Sequence, residues 1–179
     1  MFNQIESLAT KTDSPPAVLL PWLTHELSLT DKLKDECGEA SLSVLNQRWE
    51  QPNWWDKFVL GLSGKKVIHR EIIMSACDTP CWYARTIIPD HCYQANPPFY
   101  DRLQKESLGV IVFNTPAVKR NQMIHYPINV SCLEYHWFPS VLTEENSRLW
   151  VRLSIFSLAH NATFHLVEIL LPGLLRIIK

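Results

Sequence analysis

An α+β fold, a single antiparallel sheet of about six strands covered by helices and lid-like loops, is predicted by three features of the chain. The apolar runs 67–77 and 81–88 are separated only by Asp78-Thr79-Pro80, and so short a turn joins antiparallel neighbours, because parallel strands need a long crossover. A second pair of runs, 149–158 and 164–171, closes around Ala159-His160-Asn161 in the same way. Helical signals are gathered ahead of these strands, where they can cover one side of the sheet.

Residues 1–16 are polar and end in Ser14-Pro15-Pro16, a flexible lead-in to one domain spanning 17–179. Residues 17–37 read as helical, with a break near Leu27 and a restart in which Ser28 and Asp31 form a capping pair ahead of Leu33; Gly38 closes the helix. Leu42, Val44 and Leu45 mark a first strand, followed by a stretch around Trp54-Trp55 whose form the pattern leaves open. The two best strands come next. Pro89, Pro97 and Pro98 break the following loop, a short helix is expected over 99–106, and Leu108-Gly109 leads into an apolar strand at Val110-Ile111-Val112-Phe113. Residues 114–148 show no clean period and are expected to be an irregular excursion.

At 179 residues the chain is long enough to bury a substantial core. Seventeen Lys and Arg against eighteen Asp and Glu give a net charge of −1 with no basic run, which argues against nucleic-acid backbones and anionic lipid as partners. Neither a basic, apolar leader nor an apolar tract long enough to span a bilayer is present, so a cytoplasmic location without membrane insertion is expected. Five scattered cysteines suggest free thiols; Cys77, Cys81, His91 and Cys92 lack the paired spacing of a zinc site, and no metal is expected. The seven histidines are dispersed and define no nucleophilic triad.

Arg70 and Glu168 stand out because each is a charge inside an apolar strand. Arg70 shares a face with Ile68, Ile72 and Met74, and Glu168 with Phe164, Leu166 and Leu170. Burying either charge alone costs several kcal/mol, roughly, so something must compensate. One explanation is a structural ion pair, between the two or with a neighbour such as Glu71. The other is a cavity for a small polar ligand, in which the arginine fork grips a carboxylate and the buried carboxylate holds a hydroxyl or moves a proton. Arg85, on the next strand, brings a second cationic fork to that cavity only if the turn parity puts it on the same face. Arg152, flanked by Trp150 and Phe156, is a third candidate.

The run Arg70-Glu71-Ile72-Ile73-Met74, the turn at Pro80-Cys81-Trp82 and Ala84-Arg85-Thr86-Ile87-Ile88-Pro89 resemble the hairpin of bacterial chorismate pyruvate-lyases. The likeness extends to Ser107-Leu108-Gly109, to Leu149-Trp150-Val151-Arg152-Leu153-Ser154 and to Val167-Glu168-Ile169-Leu170-Leu171-Pro172, and more weakly to Trp22-Leu23 and Ser28-Leu29-Thr30. It covers roughly two-thirds of the chain, and the separations of 15 between Arg70 and Arg85 and 38 between Arg70 and Leu108 match the family pattern.

The resemblance implies cofactor-free cleavage of chorismate to 4-hydroxybenzoate and pyruvate for ubiquinone biosynthesis, by a monomer. Carried over by position, Arg70 clamps the ring carboxylate with the backbone amides of Leu29 and Leu108, Glu168 faces the ring hydroxyl, and Arg85 belongs to a neighbouring anion pocket. Arg152 is matched without an assigned role. Leu29 replaces a methionine common in the family, Ala84 replaces a glycine, and the separation of Leu108 from Glu168 is longer than the family pattern, which marks an insertion within 114–148. Two alternatives stand beside the lyase. One is a non-catalytic domain of the same fold that binds or senses an aromatic acid, as in bacterial regulators, although only a short polar lead precedes Ala17 where such regulators carry a DNA-binding module. The other is a repurposed lyase whose insertion blocks the pocket.

Overall fold

A computed structural model describes residues 5–9, 13–144, 147–158 and 162–178. Six strands, β1 (Ser41–Glu50), β2 (Val67–Ala76), β3 (Thr79–Pro89), β4 (Val118–Ile128), β5 (Leu149–Leu158) and β6 (Ala162–Leu170), form one sheet in the order β1-β2-β3-β6-β5-β4. All five pairings are antiparallel. The tight connection between β2 and β3 is made by Cys77 and Asp78, both with left-handed backbone angles, so the hairpin turns one residue earlier than Asp78-Thr79-Pro80 suggests. The expected turn at Ala159-His160-Asn161 lies outside the described residues; β5 and β6 pair up to Leu158 and Ala162 on either side of it.

The sheet is covered on both faces, which explains why β2, β3 and β6 read as continuous apolar runs instead of alternating ones. Against one face pack α2 (Leu20–Leu23), α3 (Leu29–Cys37), α5 (Asp90–Ala95), α6 (Pro97–Asp101), α7 (Leu108–Phe113) and α8 (Pro172–Ile177), through residues such as Trp22, Leu33, Phe99, Ile111 and Leu174. Against the other lie α1 (Ile5–Ala9), α4 (Trp54–Phe58) and the segment after β4, through Ile5, Trp55, Tyr135 and Phe138. Ile5 is fully buried, so part of the expected lead-in belongs to the core; residues 1–4 and 10–12 lie outside the described residues.

Several local expectations hold and several change. Ser28 caps α3, its Oγ accepting from the Asp31 amide at 3.2 Å, and Gly38 ends it with φ of 80°. The stretch at Trp54-Trp55 is a helix with a reciprocal cap between Asn53 and Asp56. Residues 110–113, expected as a strand, are the body of α7, capped by Ser107; a run that short carries no readable period. The sixth strand comes instead from the region expected to be irregular. In β4 the register slips between Arg120 and Gln122, so Asn121 is an extra residue and inward-facing positions change from even to odd along the strand.

Candidate active site

Arg70 is 2% exposed, on the helix-covered face. Its Nη2 donates to the Glu106 carbonyl at 3.1 Å, while Nε is buried without a partner. The Glu106 carboxylate is itself held by Arg102, with two contacts of 2.8 Å, and among the described residues no carboxylate lies within ion-pair distance of Arg70. Desolvation alone lowers the guanidinium to about 10. The cation is therefore buried without a counter-charge.

Glu168 lies on the same face two strands away. In register, Arg70 stands opposite Thr86 and Glu168 opposite Ala84, so the small side chains of β3 leave space between the two charges. The partner of Glu168 is Arg152, directly across on β5, with Nε 3.4 Å from Oε2. Burial pushes the Glu168 carboxyl above the usual carboxylate range, against the pull of Arg152 and then Arg120. Arg152 is 1% exposed; Nη2 donates to the Leu27 carbonyl at 3.2 Å, while Nε and Nη1 have no hydrogen-bond acceptor.

Two small cavities flank this carboxylate. One, about 30 Å³, is lined by Arg70, Ile72, Trp82, Ala84 and Thr86. The other, about 20 Å³, is lined by Leu27, Phe113, Arg120, Arg152 and Phe156. Thr30, Leu108, Gly109, Leu166 and Glu168 belong to both and form the partition. Each has room for about one or two waters. Leu29 and Leu108 are the first residues of α3 and α7, positions whose amides have no partner within their own helix. The two helix starts touch: a Cβ added at Gly109 would sit 2.8 Å from the Ser28 Oγ, so a larger residue there would have to displace the hydroxyl that caps α3.

The fold thus brings Arg70, Glu168 and Leu108 around the first cavity, while Leu29 lines the second with Leu108, Glu168 and Arg152. It does not bring Arg85. Because Arg70 pairs with Thr86, strand parity sends Arg85 to the opposite face, where Nε donates to Glu71 Oε1 at 2.9 Å and the guanidinium lies 3.9 Å over the Trp137 ring. The condition for two cationic forks in one cavity is not met. The segment that follows β4 covers this far face, and none of the described residues from 129 to 148 lines either cavity. Arg120, which no sequence pattern singled out, does reach the cavity, because the bulge at Asn121 preserves its inward aim. Among the described residues no cluster of His, Cys, Asp and Glu could hold a metal, and no helix is long and apolar enough to cross a membrane.

The chain matches the family model of chorismate lyase over residues 3–175. It is 31% identical to a protein of Aromatoleum aromaticum named a probable chorismate pyruvate-lyase, covering 90% of this chain and 89% of that one. A protein of the same name from an Azoarcus species is 26% identical over 88% and 85%. Among solved structures, the effector domain of PhnF from Mycobacterium smegmatis is similar in fold, with a TM-score of 0.56 at 12% identity over 82% of this chain and 88% of that one. With a model match over nearly its whole length and a relative above 30% identity, the chain belongs to the chorismate lyase family.

Proposed function

We propose that this protein is a chorismate pyruvate-lyase, cleaving chorismate to 4-hydroxybenzoate and pyruvate without a cofactor and supplying the aromatic acid for ubiquinone biosynthesis. The observation that carries this reading is the uncompensated charge of Arg70 beside a cavity. A bound carboxylate would remove its cost, and the planar fork suits bidentate recognition. In this reading Arg70, with the Leu29 and Leu108 amides, holds the ring carboxylate, and Glu168 accepts the ring hydroxyl.

The chemistry then needs no outside reactant. The bond between ring carbon and ether oxygen breaks, its electron pair leaving with the enolpyruvyl oxygen. The hydroxyl-bearing ring carbon loses its proton as the ring becomes aromatic, and the departing enolate takes up one proton to become pyruvate. What the protein supplies is orientation, exclusion of water and stabilisation of charge on the leaving group. The closed cavities are too small for the substrate, so their lining has to open for it to enter.

The fold shared with the effector domain of PhnF favours one other reading, a binder of aromatic acids without turnover. Purified protein mixed with chorismate separates the two. The lyase releases pyruvate and 4-hydroxybenzoate in equal amounts, and Arg70→Ala stops it; tight binding of both acids with no pyruvate released supports the binder.

A further inference from the structure

Arg70 holds one cavity, but more positive charge lies across the partition. Arg120 and Arg152 both line the second cavity with Glu168. Arg120 Nη1 donates to the Glu26 carbonyl at 2.6 Å, and its guanidinium lies 5.1 Å from both the Phe113 and Phe156 rings, which fix its plane. Its Nε and Nη2 are buried without acceptors, as are Nε and Nη1 of Arg152. Among the described residues three guanidinium nitrogens thus have no acceptor around one small space, a fourth, Arg152 Nε, faces Glu168 at 3.4 Å without a hydrogen bond, and the only carboxylate in that lining is Glu168. Burial lowers Arg120 to about 10, with Arg152 adding repulsion against the pull of Glu168 and then Glu26, and a second anion would relieve the cost of burying this guanidinium.

Three guanidiniums against one carboxylate leave the two cavities with an excess of two positive charges when Glu168 is ionised, and that excess is unevenly divided. One charge faces the Arg70 end. The surplus at the other end lies beyond Glu168, where no ring carboxylate held by Arg70 can reach.

We propose that Arg120 and Arg152 form a second anion subsite, which binds the carboxylate of the side chain that leaves and thereby makes the site selective for a dianion. This rests on the lyase reading and deepens it. The two acids of the substrate would then be held at opposite ends of the ring, with the scissile ether between them. When the bond breaks, the electron pair moves toward the Arg120 and Arg152 end, so the same pair steadies the developing enolate. The aromatic product keeps only the carboxylate at Arg70, and the subsite empties with pyruvate.

The test compares a two-carboxylate and a one-carboxylate ligand on the intact chain. Arg120→Gln is expected to lower kcat/KM for chorismate about 10- to 100-fold, the range for a lost hydrogen bond to a charged group, while the Kd for 4-hydroxybenzoate stays within about twofold. Arg120→Lys, which keeps the charge without the fork, is expected to recover part of the loss. Arg70→Gln should weaken both ligands alike. Unchanged chorismate kinetics in Arg120→Gln, or an equal loss of affinity for both ligands, overturns the subsite. If the wild type binds chorismate without cleaving it, the lyase reading fails alone and the same comparison is made on the Kd of chorismate. If it binds neither acid, both fall. Thermal unfolding of each variant separates loss of binding from loss of fold.

Discussion

Arg70 and Glu168 share one face of the sheet, with β3 between their strands, and neither is bound to the other. Glu168 has Arg152 at 3.4 Å; among the described residues Arg70 has only a backbone carbonyl. A structural pair between them would have closed the space that Ala84 and Thr86 leave open. Holding them apart keeps one charge without a counter-ion, the arrangement of a site that awaits an anion.

Glu168→Gln tests the role of the carboxylate. An amide can still meet the ring hydroxyl but loses the charge, so kcat/KM for chorismate is expected to fall about 10- to 100-fold, the range for a hydrogen bond to a charged group. Unchanged kinetics would remove Glu168 from the site. A fall beyond about 1,000-fold would instead mark it as the proton acceptor.

Gly109→Ala tests the contact between the two helix starts. The new methyl group would press on Ser28, whose hydroxyl caps α3, at a stability cost of about 1–2 kcal/mol. Because the same contact forms the partition of both cavities, affinity for 4-hydroxybenzoate is expected to fall about tenfold or more, about 1.4 kcal/mol. Unaltered titration calorimetry would show that the partition does not shape the site.

Much of this was legible from residue patterns. The hairpin of β2 and β3, the Ser28 cap, the burial of Arg70 and Glu168 and five of the six strands follow from alternation, turn length and apolar runs. β4 was not legible, because the bulge at Asn121 breaks the period of two that marks a strand. For the same reason Arg120 looked like one more charge in a polar stretch. The α4 helix could have been found from Asn53 and Asp56, three apart in the manner of a capping box. The two-residue turn at Cys77 and Asp78 pairs Ala76 with Thr79 and would by itself set Arg85 opposite Arg70; the register shift between Met74 and Ser75, which leaves Cys81 unpaired, brings Thr86 there instead and turns Arg85 away.

That separation predicts the behaviour of Glu71→Ala. Arg85 would lose its carboxylate on the far face while the cavities keep their lining, so stability is expected to fall by roughly 1–3 kcal/mol in urea unfolding, with pyruvate release by the folded protein retained. Loss of activity without loss of stability would tie Arg85 to the site after all.

The far face also sets an acid limit. Burial lowers His165 from 6.5 to about 4, opposed by Asp56. The unfolded chain takes up a proton that the folded chain refuses, so stability from the neutral ring is complete above the unfolded value and is lost as pH falls from 6.5 toward 4. The gap amounts to roughly 3 kcal/mol. Urea midpoints at about pH 7 and about pH 4.5 should differ less in His165→Leu than in the wild type; equal differences would discount the ring.

Whether Arg70 is kept uncompensated to hold a carboxylate is decided by thermal unfolding of the wild type and Arg70→Met, each with and without 4-hydroxybenzoate. Replacing the stranded cation with an apolar side chain of similar length should raise the Tm of the empty protein by several degrees and abolish the further rise that the ligand gives the wild type. An empty variant less stable than the wild type, or one that the ligand stabilises equally, would contradict it.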